Sequence, residues 1–595
     1  MEQKPFSKSN TKNDHNIDIN PLIRLPTLTP NATEHLKIGE HGAISSDLLV
    51  CNELVYNEVL LKHGKTKVNA ADMSVTLGLC VGLVNFFNSG VGGGGFAIHT
   101  SRHPEREEDT GTYFDFRETC PLSWDNEKYN LSTLGGLSIG LPGELKGYYE
   151  IYTTLGSGHV SWKDLLMPVV KLAYEGWEVS EVLEAALQVY KIPFEENFDD
   201  WSFVFSDVSQ KTLKKAGEHI TRPNFGKMLE VLAKNGSCAP FYDPDHWINK
   251  SMLKKIKEKG GIINQADFAN YHVRIGKPLT TKIHIDEYWP LTVYTTGGVT
   301  SGAALLSALN IMEKFPKRKG GDYTSESAYE LVEAMKWMAS ARSRLGDYNE
   351  EKELELRMQE ILSDEWAINS SALIKNANLK TQKDWRDYKP QYQLTEPHGT
   401  THFSIIDYNS NAISLTSTIN LLFGSLVHDP VTGVIFNNEM DDFSNPKDDD
   451  HSNSFGLKPS IYNYPMPGKR PVSSASPVIV LDELNYPDLV IGASGGSRIT
   501  TSVLQSLIRI YWYHMPLLET ISYPRFHHQL LPNTLEVENG SMIGTRTIKE
   551  LKEMGHDIQE VPPKSVLNGI KRDRKFLNYH AVSDWWRKRG MSLGY

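Results

Sequence analysis

The stretch Gly399 to Ser444 limits what this chain can fold into more than any other part of it. It holds two strand-like runs, Phe403 to Asp407 and Ala412 to Ile419, both rich in β-branched residues. The turn formers Tyr408-Asn409-Ser410-Asn411 join them, so a hairpin is expected. A polar cluster, Asn437-Asn438-Glu439-Met440-Asp441-Asp442, follows. Amides and carboxylates grouped beside apolar strands suit recognition of a charged small molecule. A solvated loop has the same composition, and spacing alone does not separate the two.

With 595 residues the chain has room for roughly three to four domains of about 150 residues, or for one large α/β unit. Hydrophobic content of 39% with 10% aromatics is ordinary for a protein with a sizeable core. The net charge of −11 and the lack of any Lys/Arg-rich block argue against a nucleic-acid partner. Cys51, Cys80, Cys120 and Cys238 include no CxxC pair, which disfavours a zinc ribbon or a dithiol motif. Residues 1–36 are polar, contain proline and lack an apolar signal core, and are expected to form a flexible leader. The longest apolar stretch, Val75 to Phe87, is interrupted by Asn85 and is too short to span a bilayer. Asn-x-Ser/Thr sequons begin at Asn31, Asn130, Asn235, Asn249, Asn369 and Asn539.

Along the chain, helix-like periodicity covers 45–62 and Ala70 to Phe87. Gly90, Gly92 and Gly95 formally fit GxGxxG, but a helix pattern precedes them and a strand pattern follows. That is the reverse of a dinucleotide fingerprint, so the nucleotide reading is rejected. Tyr113 to Glu118 alternates like a strand. Helices are expected within 138–153, 161–260, 301–313 and from Ser325 to Leu345; the charged and polar segment 348–398 is expected to be a linker. Asp448-Asp449-Asp450-His451 lacks EF-hand spacing and suits a solvated loop. Leu489 to Thr500 reads as strand, glycine turn and helix start; His527 and His528 point apart on a strand and read as structural.

Thr400-Thr401-His402-Phe403-Ser404, then Thr416-Ser417-Thr418-Ile419-Asn420, then Asn437 to Ser444, resemble the γ-glutamyltransferase (γ-glutamyl transpeptidase, glutathione hydrolase) family of N-terminal nucleophile hydrolases. Further blocks support the resemblance: the glycine run Gly90 to Phe96, Asp115-Phe116-Arg117-Glu118-Thr119, Gly140 to Glu144, Ser565 to Ile570, and Tyr579 to Tyr595. It spans roughly residues 40–595. Thr295 to Gly302 departs from the family's proline-rich form, and Cys120 stands where alanine is common; neither is a matched catalytic position.

The resemblance implies an α/β fold, the αββα four-layer sandwich, made as a precursor that cuts itself at Gly399–Thr400. Residues 37–399 would form a large subunit and 400–595 a small catalytic subunit, intertwined in one unit. A threonine hydroxyl needs a base, and a free N-terminal amine, with a reference pKa of roughly 7.7–8.0, supplies one. By resemblance Thr400 is the nucleophile and Thr418 positions it, while the N–H groups of Gly495 and Gly496 stabilise the oxyanion. Arg117, Ser473 and Ser474 hold the α-carboxylate of a γ-glutamyl group; Asn420, Glu439 and Asp442 hold its α-amine. Glutathione and related γ-glutamyl compounds are the expected donors, and water, amino acids or dipeptides the acceptors. The scheme needs no metal or organic cofactor. The resemblance also pairs Cys51 with Cys80 and implies a vacuolar, cell-surface or secreted location, although no signal peptide is visible. Two rivals stand beside it: an acylase of cephalosporin-acylase type and a catalytically silent binding protein.

Overall fold

The computed structural model describes residues 31–102, 111–285, 290–317, 324–347, 351–393, 399–448, 457–538 and 543–595. Two seven-stranded antiparallel sheets face each other. The first runs, in spatial order, Lys37–Gly39, Asn578–Ser583, Val566–Asp573, Pro487–Ser494, Val478–Leu481, Pro290–Thr295 and Leu279–His284. The second runs Leu593–Gly594, Ala43–Ser45, Thr401–Ile406, Ala412–Thr418, Gly94–Thr100, Gly111–Asp115 and Arg274–Gly276.

The expected hairpin lies at the centre of the second sheet, with Thr401 opposite Ser417 and Ile406 opposite Ala412. Asp407 closes its turn by accepting from the N–H groups of Asn409 and Asn411, and it also caps Ala70 of the next helix. Side chains alternate across the sheet. Phe403, Ile405, Ile413 and Leu415 face the helices Ala70–Val84, Glu144–Leu155 and Trp162–Glu175. Ile406, Ala412 and Ile98 face inward onto Ile479, Val490 and Ile570 of the first sheet. Outside the first sheet, helices Gly302–Met312, Ser325–Arg342 and Arg498–Tyr511 bury the other apolar cluster. The result is the expected αββα sandwich.

The glycine run is a close-packing device. A Cβ on Gly93 would stand 2.1 Å from the carbonyl oxygen of Thr418, and one on Gly95 2.3 Å from that of Thr416. Larger residues would push the Gly94–Thr100 strand off the hairpin. Cys51 and Cys80 are disulfide-bonded, tying the helix Leu49–Leu54 to Ala70–Val84. Cys120 and Cys238 are buried free thiols.

Two expectations change. The segment 348–398 is no linker over its described part: helices Glu351–Leu362 and Asp364–Asn376 bury Ile361, Ala367 and Ile374. Ser363 caps the second of them, and acidic Asp364 and Glu365 occupy its first turn. Residues 394–398 lie outside the described residues. The leader is packed at its end, where a turn of helix covers Ala32–His35 and His35 stacks on Trp585 with ring centroids 4.1 Å apart. Residues 1–30, the sequon Asn539 and most of the acidic run 448–451 lie outside the described residues. Of the other sequons, Asn249 is buried; Asn31, Asn130, Asn235 and Asn369 are exposed. Among the described residues no helix is long and apolar enough to cross a membrane.

Candidate active site

The hairpin register sets the centre of the site. Thr401 pairs with Ser417, so Thr400 and Thr418 come out side by side at the end of the ladder. Gly399, just ahead, has a φ of +71°, and a Cβ there would lie 2.3 Å from the carbonyl oxygen of Asn420. Glycine is therefore the residue this position tolerates. Two hydroxyls converge on the Gly399 carbonyl oxygen. Thr418 Oγ1 donates to it at 2.8 Å, and Thr400 Oγ1 donates to it as well. Thr418 Oγ1 in turn accepts from the Asn420 N–H at 2.8 Å.

The polar cluster is a wall of the same site, not a solvated loop. Asn437 donates to the carbonyls of Gly92 and Gly140 and accepts from the N–H groups of Gly140 and Glu439. That fixes the short helical turn Glu439–Asp442, with Glu439, Met440 and Asp442 buried. Asn420 reaches across to the Asn438 carbonyl at 3.2 Å.

Arg117 follows the Gly111–Asp115 strand and is only 1% exposed. Its guanidinium bonds Glu439 and meets Asp442 Oδ2 at 2.6 Å, with Glu118 Oε2 at 3.7 Å. Carbonyls of Pro471 and Val472 accept from it at 3.2 and 3.3 Å. Burial alone would lower its pKa, but Glu439, Asp442 and Glu118 together raise it above the ordinary arginine range. Three buried carboxyls share one guanidinium. Burial pushes Glu439 well above the usual carboxylate range and Glu118 up to about 8, against the opposing pull of Arg117.

Gly399, Thr400, Thr418, Asn420, Arg117, Glu439, Asp442, Ser473 and Ser474 line one narrow pocket that is partly open to solvent. Phe96, Ala475 and Ile499 supply apolar surface to it. Ser473 is held by its N–H on the Val299 carbonyl and by Ser301 on its own carbonyl. Ser474 Oγ is buried without a hydrogen-bond partner among the described residues. Gly495 and Gly496 are not brought into this lining. They form the turn after strand Pro487–Ser494, with φ of +123° and +62°, and the helix beginning at Arg498 carries Ile499 to the pocket.

Sequence reasoning missed the positioning part of Asn437, although Asn437 stands inside the singled-out cluster, directly ahead of the Glu439–Asp442 turn. Among the described residues no cluster of His, Cys, Asp and Glu has the geometry of a metal site. Burial lowers the pKa of both His527 and His528, and each is hydrogen-bonded inside the protein: His527 bonds Thr501 and Gln529, and His528 accepts from the Leu530 N–H.

Facing sheets between helical layers, with a threonine at the head of an inner strand, define the N-terminal nucleophile hydrolase class. The fold matches the crystal structure of a cephalosporin acylase from Bacillus halodurans with a TM-score of 0.77, covering 96% of this chain and 99% of that one at 18% identity. In sequence, the family model Gamma-glutamyltranspeptidase matches residues 55–594. Glutathione hydrolase proenzyme 2 of Schizosaccharomyces pombe is 36% identical over 573 residues, covering 95% of this chain and 88% of that protein. Glutathione hydrolase 3 of Arabidopsis thaliana is 31% identical, covering 90% and 82%. The chain belongs to the γ-glutamyltranspeptidase (γ-glutamyltransferase/glutathione hydrolase) family, and the general activity attached to that membership is γ-glutamyl transfer and hydrolysis.

Proposed function

We propose that this chain is a precursor that cuts itself at Gly399–Thr400 and then works as a γ-glutamyltransferase and glutathione hydrolase through a Thr400 ester. The observation that carries the reading is the Gly399 carbonyl oxygen held by the hydroxyls of Thr400 and Thr418 inside the Arg117 pocket. A donor on that oxygen polarises the bond, and Thr400 Oγ is the adjacent nucleophile. Its attack on the Gly399 carbon expels the Thr400 nitrogen and leaves an ester. The departing nitrogen takes the hydroxyl proton and becomes the free Thr400 amine; water then hydrolyses the ester, freeing the Gly399 carboxylate and restoring the Thr400 hydroxyl. Before the cut that nitrogen is an amide and takes no proton; afterwards it is the base beside its own hydroxyl.

The head group of a γ-glutamyl donor carries one carboxylate and one ammonium. Arg117 with Ser473 and Ser474 suits the carboxylate, and Glu439 with Asp442 and Asn420 suits the ammonium. A zwitterion can exchange for the internal Arg117–Glu439 and Arg117–Asp442 contacts charge for charge, so no buried ion is left unpaired. This two-signed cradle favours a free amino-acid head group over the amides of a cephalosporin-type acylase. Thr400 Oγ then attacks the γ-carbonyl, the amine of the donor leaves with a proton, and water or an acceptor amine takes the γ-glutamyl group. The Gly495–Gly496 turn remains the candidate oxyanion donor, supported by its bare backbone at the head of the Ile499 helix. The Cys51–Cys80 disulfide supports an oxidising compartment, such as a vacuole, the cell surface or the exterior.

The test is Thr400→Ala. It is expected to accumulate as one uncut chain that releases no product from a γ-glutamyl anilide. A cut or active variant would remove Thr400 from the nucleophile's role.

A further inference from the structure

Asn463 lies in a single helical turn, Ile461–Asn463, outside the chain segments that carry the site, yet it is only 3% exposed. Its side-chain amide uses both ends. Nδ2 donates to the Asp442 carbonyl at 2.8 Å and to Ser444 Oγ at 3.3 Å. Oδ1 accepts from the Val472 N–H at 3.0 Å. Its backbone is held as well: the Asn463 carbonyl accepts from Ser444 N–H at 2.9 Å, and its own N–H donates to the Ser460 carbonyl.

These partners belong to opposite walls of the pocket. Asp442 stands on the ammonium side. Val472 stands on the carboxylate side, where its carbonyl accepts from Arg117 and its chain continues into Ser473 and Ser474. Only a group with a donor end and an acceptor end, one carboxamide long, satisfies both backbones at once. Among the described residues Arg117 also joins the two walls, and its ion pairs are the contacts a substrate zwitterion replaces. Asn463 touches backbone atoms on both sides, so its link persists while that exchange takes place.

We infer that Asn463 is a positioning residue that sets the spacing between the ammonium-binding and carboxylate-binding walls and so determines recognition of the α-amino-acid head group. The inference rests on the functional reading above. Aspartate in its place has the same shape but no donor, so the hold on Asp442 is lost and a charge is added beside an acidic wall.

The experiment compares two anilides as donors, γ-glutamyl and glutaryl, the latter lacking only the α-amine. In the purified wild-type protein the γ-glutamyl donor is expected to have the higher kcat/KM. In Asn463→Asp that preference is expected to shrink by roughly tenfold or more, chiefly through KM, with a lowered melting temperature but with the protein still folded and cut at Gly399. Asn463→Ser, which keeps one donor, is expected to fall in between. Equal losses on both donors, or no loss on either, would overturn the inference. So would failure of both variants to accumulate as folded, cleaved protein, because Asn463 would then be a folding residue. A wild-type protein indifferent to the α-amine would instead sink the parent reading, whatever the variants do.

Discussion

Arg117 has three carboxyls around it, Glu118, Glu439 and Asp442, in a place that water barely reaches. Removing its charge would strand those acids; keeping the charge and changing its shape isolates geometry. Arg117→Lys keeps the cation but loses the fork that meets Glu439 and Asp442 through separate nitrogens. It is expected to leave cleavage intact while lowering kcat/KM for glutathione by roughly tenfold or more. Unchanged kinetics would make Arg117 a structural ion pair. Glu439 adds a pH dependence. Burial holds its carboxyl well above the usual range, so it carries a proton at pH values where an exposed glutamate has lost it. An ammonium pairs with the carboxylate, not the acid. KM for a γ-glutamyl donor is therefore expected to fall as pH rises, and Glu439→Gln to raise KM and flatten that slope. An unaltered slope in the variant would assign the dependence to another group.

At the scale of elements, the nucleophile depends on how the hairpin meets the first sheet. His402 points inward from strand Thr401–Ile406, bonded to Thr416 and Ser404, and its ring covers Gly492 of the facing strand. A Cβ on Gly492 would lie 2.3 Å from that ring. Gly492→Ala is expected to destabilise the protein by about 1–3 kcal/mol, as overpacking does, and to slow cleavage by shifting the strand that carries Thr400. Thermal unfolding and the fraction of cut chain measure the two effects, and normal values for both would show that the sheets yield there. This hairpin was legible from its sequence because β-branched runs and a four-residue turn are local signals. So was the glycine run, whose following strand excluded the nucleotide reading. The helices of 351–376 were not legible: each turns only a few apolar residues, such as Ile361 and Ile374, onto the core, and their charge looks like a linker. Asn463 was out of reach because its partners, Asp442 and Val472, converge only in the fold. Eight of the ten residues expected in the site do share one pocket: hairpin register sets Thr400 beside Thr418, with Asn420 just beyond, Arg117 follows a strand of the same sheet, and a helical turn and a loop supply Glu439, Asp442, Ser473 and Ser474. Gly495 and Gly496 stop one turn short of its lining.

Over the whole molecule, the segments on either side of Gly399 are interleaved. In the second sheet Thr401–Ile406 and Ala412–Thr418 lie between Ala43–Ser45 on one edge and Gly94–Thr100 on the other. In the first sheet Val478–Leu481 pairs with Pro290–Thr295, and Lys37–Gly39 pairs with Asn578–Ser583. A cut at Gly399 therefore severs one peptide bond and no ladder, and the two pieces stay together until the sheets unfold. That makes mass measurement under two conditions the most direct test of the account. Purified protein is expected to keep a single assembled mass near 67.1 kDa under native conditions. Under denaturing, reducing conditions it is expected to resolve into two chains, the smaller with Thr400 as its first residue. A single denatured chain of the full mass, in protein that turns over a γ-glutamyl anilide, would contradict the central claim that cleavage creates the nucleophile.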